Sequence, residues 1–303
     1  MRSAIVVAIA LWSIGQAAAQ DACQARDISH EQRIAACTDA IEGTRSRSPR
    51  ALAIAYCNRG FALTEKRELD RAFADLEAAI GIDPTYACSF SNRGRIWAFK
   101  GDLDRAIADY DTALKLDPNF AIAYNNRGDA LMKRGDIDKA IEDFTTAIKH
   151  DPQNAHAYGN RGWAYERKRD FARALADYGS AIALAPNDLL GYINRGNVYR
   201  ATGNLERAGA DYGEAIRVAP TDARGWRNRG MIKLMKNDNA GGIADYNKAI
   251  EYDPTDADSW NNRGIAKRDS GDKQGAIADF KKALAINPNL LSTRQLLREL
   301  GVR

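Results

Sequence analysis

Seven of the eight prolines in this 303-residue chain stand on one 34-residue grid. They are Pro84, Pro118, Pro152, Pro186, Pro220, Pro254 and Pro288. The tripeptide Asn-Arg-Gly keeps the same spacing and begins at residues 58, 92, 126, 160, 194, 228 and 262. Self-similarity at a fixed period of this length predicts a tandem-repeat protein, in which each unit packs on its neighbours in the chain.

Each period carries the pattern of two helices, called A and B here. Apolar residues follow helical spacing, as in the stretch 106–114. Gly-Asp pairs, for example at 101–102 and 135–136, separate the two helical patterns. Proline ends helix B, because it lacks the amide hydrogen of the helical ladder and restricts the residue before it.

The residues on this grid resemble the tetratricopeptide repeat, whose motif has an aromatic residue at position 4, Gly at 8, Ala at 20, an aromatic residue at 24 and Pro at 32. With Gly60 at position 8, the repeats are 53–86, 87–120, 121–154, 155–188, 189–222, 223–256 and 257–290. Position 4 holds Tyr56, Phe90, Tyr124, Tyr158, Tyr192, Trp226 and Trp260. The resemblance implies an all-α, right-handed superhelical solenoid of seven helix-turn-helix repeats.

The ends of such an array need caps. Residues 20–52 are interpreted as an N-terminal half-repeat with a polar connector, and residues 291–303 as a C-terminal capping helix. Glycine inside a helix costs about 1 kcal/mol relative to alanine. The Gly at position 8 of every repeat therefore predicts close contact, and we expect helix A to press against the small residue at position 20 of helix B.

One departure from the family motif recurs in every repeat. Position 7 holds Arg, and Asp follows 16 residues later, as in Arg127 with Asp143 and Arg161 with Asp177. The other pairs are Arg59 with Asp75, Arg93 with Asp109, Arg195 with Asp211, Arg229 with Asp245 and Arg263 with Asp279. A lone charge on a partly buried face is costly, so the pattern predicts structural ion pairs that link helix A to helix B.

The first residues are typical of a secretory signal peptide. A basic start at Arg2 precedes an apolar run over residues 4–15 and small residues that end at Ala19. The segment 1–19 is therefore predicted to be cleaved, with no stable membrane insertion afterwards. The style of the signal and repeats looks bacterial, which indicates a periplasmic or secreted protein.

Export also permits disulfides. The chain has four cysteines, Cys23, Cys37, Cys57 and Cys88, and four cysteines allow three pairings. We favour Cys23–Cys37 and Cys57–Cys88, since each links neighbouring helices, although sequence alone does not choose. No Cys or His spacing indicates zinc, and no metal or other cofactor is expected.

In the tetratricopeptide family, helix A lines a concave groove. Position 6, on that face, is Asn in all seven repeats: Asn58, Asn92, Asn126, Asn160, Asn194, Asn228 and Asn262. This resembles the asparagine ladder of peptide-binding relatives, because a side-chain amide offers both a donor and an acceptor to an extended backbone. The alternative is that these amides bond to each other or to neighbouring helices.

The other groove positions vary along the chain. Trp163 is the candidate binding anchor, with packing between helices as the alternative. Arg200, Arg224 and Arg227 suggest an acidic segment of the partner, with solvated surface as the alternative. The carboxylate clamp of chaperone-binding relatives is not matched, because Gly159 and Trp163 occupy places where clamp residues are expected.

The sequence favours a non-catalytic scaffold that binds other proteins or peptides. It contains no G-x-S-x-G, HExxH, P-loop or G-x-G-x-x-G motif, and its net charge of +4 does not suggest a nucleic-acid partner. A structural component that associates with itself in an envelope assembly is the alternative, and an unrecognised enzyme is a third. The sequence does not indicate the oligomeric state.

Overall fold

The computed structural model describes residues 22–25, 27–43 and 48–302. The signal peptide predicted over 1–19 and residues 44–47 of the predicted connector lie outside the described residues. Throughout the described segments every regular element is helical. Among the described residues, a single helical turn at 22–24 precedes sixteen longer helices, which fall into two compact units, Met1–Pro152 and Gln153–Arg303.

The first unit contains seven of these helices: α1 His30–Glu42, α2 Pro49–Glu65, α3 Leu69–Ile82, α4 Ala87–Phe99, α5 Leu103–Leu116, α6 Ala121–Arg134 and α7 Ile137–His150. The second contains nine: α8 Ala155–Arg167, α9 Phe171–Leu184, α10 Leu189–Ala201, α11 Leu205–Val218, α12 Ala223–Met235, α13 Asn239–Tyr252, α14 Ala257–Asp269, α15 Lys273–Ile286 and α16 Leu291–Glu299. Within each unit, helices that follow one another in the chain pack together. From α2 to α15, even-numbered helices are the A helices of the predicted repeats and odd-numbered helices are the B helices.

The turn from helix A to helix B has the same backbone in every repeat. Position 15 adopts a positive φ, and it is occupied by Arg67, Gly101, Gly135, Arg169, Gly203, Asn237 and Gly271. Glycine reaches this left-handed conformation at little cost, whereas arginine and asparagine adopt it under strain. The Asp or Asn that follows often caps helix B: the Asp102 carboxylate, for example, accepts the Arg105 amide hydrogen at 3.0 Å.

Glycine at position 8 allows a second close contact besides the expected one, with the large residue at position 24 of helix B. A Cβ on Gly128 would lie 2.6 Å from a ring carbon of Phe144, the residue at position 24, and a Cβ on Gly196 would lie 2.7 Å from the Tyr212 ring. The expected contact with the small residue at position 20 is present in several repeats, where its backbone carbonyl lies 3.0–3.4 Å from the built Cβ. Helix A approaches closely because the large residue at position 24 packs flat beneath its glycine, while position 20 contributes its backbone carbonyl in several repeats.

The terminal helices cover the ends of the two units. At the N-terminal end, a disulfide joins Cys23 to Cys37 across a Cα–Cα distance of 4.7 Å. Both cysteines are fully buried against Ala40 and Ala55. At the C-terminal end, Leu297 of α16 packs against the core residues Ala276 and Phe280.

The second predicted disulfide is not formed in the structure. Cys57 and Cys88 are free thiols, with 3.3 Å between their sulfur atoms and Cys57 donating to Cys88. The hydrogen bond to Cys88, together with burial, raises the pKa of the Cys57 thiol. The same hydrogen bond lowers the pKa of the Cys88 thiol. The adjacent Asn92 amide donates to both sulfur atoms, at 3.3 and 3.6 Å.

Candidate functional site

The Arg–Asp pairs that the sequence predicts are present in all seven repeats. In each, the Arg Nε and Nη2 atoms donate to the two oxygens of one carboxylate, at distances from 2.6 to 2.9 Å. The aspartates are buried, with Asp143 and Asp177 each 6% exposed. This two-point geometry fixes helix A on helix B within one repeat, so these residues are structural and leave position 6 to face another direction.

The asparagines at position 6 do not form one uniform row. Asn58 donates to the Cys23 carbonyl at 3.3 Å, and Asn92 donates to the two cysteine sulfurs. Asn228 is buried, and Asn262 accepts from the neighbouring Asn261 amide at 3.2 Å. The alternative of bonds to neighbouring groups therefore holds for several of these asparagines. Asn126, Asn160 and Asn194 are partly exposed, and contact of these three with a guest stays a prediction.

The second unit contains a cavity of about 270 Å³, which we call the α8–α10 pocket. Helix α8 contributes Ala155, His156, Gly159, Asn160 and Trp163. The residues from the start of α10 are Asp188, Leu190, Gly191 and Asn194. Helix α9 contributes Tyr178 and Ala181, and Ala185 follows directly after its end. The pocket thus unites two position-6 asparagines with the tryptophan that the sequence singled out.

Trp163 packs on its neighbours and also borders the cavity, while its role as a binding anchor stays a prediction. One part of its side chain packs on the core of the second unit, against Ala174, Tyr178 and Val198. Another part lines the α8–α10 pocket. A ring held by its own core loses little conformational freedom when a guest contacts it, which favours use as a binding surface.

The three candidate arginines differ in the partners that their guanidinium groups have within the protein. Arg224 forms a forked pair with Asp222, with Nη2 2.8 Å from the carboxylate, and Arg227 lies 3.4 Å from Asp256. Binding of an acidic partner by either residue would compete with these internal aspartates. The Nε atom of Arg200 is buried and has no hydrogen-bond partner.

Two buried tyrosines form side-chain hydrogen bonds in the second unit that the sequence analysis did not predict. The Tyr178 hydroxyl donates to a Glu166 carboxylate oxygen at 2.8 Å, and the Tyr212 hydroxyl donates to the Asn197 side chain at 2.8 Å. Burial raises the pKa of both phenols. The signal was available in the sequence, because position 24 is Tyr rather than Phe or Leu in these repeats.

Neither a metal centre nor a membrane span is found in the part of the chain that is described. No group of His, Cys, Asp and Glu side chains there is arranged to hold a metal ion. No helix there combines the length and the hydrophobicity needed to cross a bilayer.

Paired helices that repeat every 34 residues, each with a glycine of helix A packed on the large residue at position 24 of helix B, define a helical repeat protein. Family models described as "Tetratricopeptide repeat" match residues 53–86, 126–188, 193–251 and 257–290. A model described as "TPR repeat" matches residues 99–133. The chain belongs to the tetratricopeptide-repeat family. No curated protein sequence matches the chain.

Solved structures share this fold at low sequence identity. The crystal structure of the APC/C hetero-tetramer Cut9–Hcn1 is 18% identical, covers 90% of this chain and 52% of its own, and has a TM-score of 0.67. PilF from Pseudomonas aeruginosa is 16% identical over 70% and 97% of the two chains, with a TM-score of 0.63. A tetratricopeptide repeat protein from Parabacteroides merdae is 22% identical over 82% and 98%, with a TM-score of 0.58. The chain thus spans about half the length of the first of these.

Proposed function

We propose that this protein is a non-catalytic interaction scaffold that binds an extended segment of a partner protein on the helix-A face of its second unit. The observation that carries the proposal is the α8–α10 pocket, where Asn160, Asn194 and Trp163 line one cavity. Two amides supply donors and acceptors for a peptide backbone, and the indole supplies apolar contact area. Membership of the tetratricopeptide-repeat family supports a protein-binding role in general.

The solved neighbours are consistent with assembly with other proteins. Cut9 was crystallised in a hetero-tetramer with Hcn1, so that relative combines this fold with binding of a different chain. For the present chain we propose a location outside the cytoplasm, periplasmic or secreted. The Cys23–Cys37 disulfide supports this location, because disulfides persist in oxidising compartments.

The test is selection of a phage-displayed library of random 12-residue peptides on the immobilised protein. We expect the wild type to enrich a peptide family. We expect the double variant Asn160→Ala/Asn194→Ala to bind those peptides at least tenfold more weakly, because it loses both backbone-directed amides. Asn119→Ala is the matched control, since Asn119 is exposed in a turn of the first unit, and it should bind like the wild type.

Two results would overturn the proposal. One is a wild-type selection that enriches no peptide above a surface without protein. The other is a double variant that binds the selected peptides as tightly as the wild type does. Sedimentation over a range of protein concentrations addresses the alternative, because a self-assembling structural component should form larger species as its concentration rises.

A further inference from the structure

The α8–α10 pocket exists because one side chain is missing. Position 5 of helix A holds Cys57, Ser91, Asn125, Ile193, Arg227 and Asn261 in six repeats, and Gly159 in the fourth. A Cβ placed on Gly159 would meet no atom within 4 Å. The space above Gly159 is therefore open to a guest, and no packing requirement within the protein explains this glycine.

The second glycine of the pocket has a different reason. A Cβ on Gly191 would lie 2.8 Å from the Cγ1 atom of Ile182, so close packing of α10 on α9 requires glycine there. Gly159 has no such neighbour. Close packing of two helices thus requires glycine at position 191, whereas glycine at position 159 leaves the cavity open.

The lining of the pocket favours an uncharged guest. Trp163, Leu190 and three alanines supply apolar surface, and Leu190 is 46% exposed although it is a large hydrophobic residue. The Asp188 carboxylate already accepts the Leu190 amide hydrogen at 3.0 Å, as the cap of α10. The Tyr178 hydroxyl is engaged with Glu166. One oxygen of the Asp188 carboxylate and the Tyr178 hydroxyl therefore already have partners in the fold.

The size of the pocket favours a side chain over a free small molecule. Its volume is about 270 Å³, just below the range of roughly 300–1,000 Å³ that is usual for sites of drug-sized ligands. Asn160 and Asn194, at the same position of adjacent repeats, flank the cavity from α8 and α10. A polypeptide can satisfy both features, because its backbone pairs with the amides while one of its side chains fills the cavity.

We infer that the α8–α10 pocket selects the guest, by taking one bulky apolar side chain, such as Phe, Trp, Leu or Met, over Gly159. This inference rests on the proposed function and adds to it the chemical class of the residue that the scaffold recognises. Burial of such a side chain against Trp163, Leu190 and the alanines of the cavity is the contribution expected to separate specific from non-specific segments.

The experiment uses peptides selected on the wild type and resynthesised singly, with affinity measured at pH 8, where histidine side chains are ordinarily neutral. We expect the selected sequences to share one bulky apolar residue. Its replacement by Ala in the peptide should weaken binding at least tenfold. Gly159→Leu, which fills the cavity with a side chain of the protein, should weaken binding by a similar factor.

Gly213→Leu is the matched control. Gly213 is also helical, and a Cβ there also meets nothing within 4 Å, so both substitutions change helix propensity alike. We expect Gly213→Leu to bind within twofold of the wild type. Circular dichroism of both variants, together with the milder Gly159→Ala, verifies that each is folded.

The outcomes distinguish this inference from the proposed function. Suppose that peptides bind the wild type and lose affinity for Asn160→Ala/Asn194→Ala, while Gly159→Leu binds them within twofold of the wild type. The proposed scaffold function then holds and the pocket inference fails. The inference also fails if the apolar residue of the peptide can be replaced by Ala without loss. If the wild type selects no peptide, both are overturned.

Discussion

Arg127 and Asp143 show what one residue pair contributes to a repeat. Two nitrogen atoms of the guanidinium donate to the Asp143 carboxylate at 2.7 Å, and a third donates to Asp111 of the preceding repeat at 2.6 Å. The Arg127 side chain is 23% exposed and the Asp143 side chain 8% exposed. A buried carboxylate that loses its cation is left without compensation, so the cost of breaking the pair exceeds the net value of forming it.

We therefore expect Arg127→Ala to reduce the free energy of unfolding by about 2–3 kcal/mol, near the upper end for a buried polar group left without its partner. Urea denaturation followed by circular dichroism measures this change. The control is Arg217→Ala, because Arg217 pairs with Glu214 on the surface, with side chains 60% and 47% exposed. Exposed pairs of this kind contribute at most about 1 kcal/mol. Equal destabilisation by the two variants would contradict the assignment.

The pH dependence of the same variant provides a second prediction. Burial raises the pKa of the Asp143 carboxyl, and the Arg127 guanidinium opposes that shift. A carboxyl whose pKa is higher in the folded than in the unfolded chain takes up a proton on folding, so a lower pH favours the folded state. Arg127→Ala removes the opposing charge, and its stability deficit relative to the wild type should shrink as the pH falls from about 7 to about 4. A deficit that is constant or grows on acidification would show that the carboxylate is not the source of the loss.

The element that repeats most strictly is the turn between helices A and B. Position 15 has a φ of 100° at Gly135, 60° at Arg169 and 61° at Asn237. The fold imposes this left-handed backbone whether or not glycine is present. The left-handed conformation costs a residue with a side chain about 1–2 kcal/mol.

Arg169→Gly should therefore stabilise the protein. The relieved backbone strain exceeds the entropy that glycine adds to the unfolded chain, so we expect a net gain of about 0.5–1 kcal/mol. The Arg169 side chain is exposed and its loss should matter little. Thermal or urea denaturation measures the gain. Gly203→Ala, at the equivalent turn two helices later, is the reverse experiment and should destabilise; the same sign for both variants would refute the explanation.

At the scale of the whole molecule, each unit is a chain of contacts between successive helices. The stability of such an array is approximately a sum of terms from the repeats and their nearest neighbours. A perturbation at the N-terminal end should therefore stay local. The Cys23–Cys37 disulfide closes a loop with a sequence separation of 14, and closure of a loop near this length is worth about 3 kcal/mol.

We expect Cys23→Ser to lower hydrogen-exchange protection in α1 and the start of α2 while protection in α14–α16 stays unchanged. Cys88→Ser is the control, because Cys88 is a free thiol and its replacement leaves the disulfide intact. Hydrogen exchange with mass spectrometry reads both ends in one experiment. Uniform loss of protection along the chain would indicate global cooperativity instead of nearest-neighbour behaviour.

Features that recur were predictable from the sequence, and features that occur once were not. The sequence pattern of the helix pairs and that of the Arg–Asp pairs each recur in all seven repeats, and both features were predicted from the sequence. The α8–α10 pocket depends on glycine at position 5 of one repeat, Gly159. An analysis based on the 34-residue period does not single out this residue, because position 5 varies among the repeats. The pairing of Arg224 with Asp222 depends on side-chain conformation, which a pattern of residue types does not specify.

The forked Arg–Asp pair also bears on how the chain can change its length. Arginine and aspartate are 16 residues apart and belong to the same 34-residue unit. Recombination between equivalent points of two repeats would add or delete whole units and still leave every arginine with an aspartate 16 residues later. Gene duplication could thus lengthen or shorten this protein while every buried carboxylate keeps its own cation.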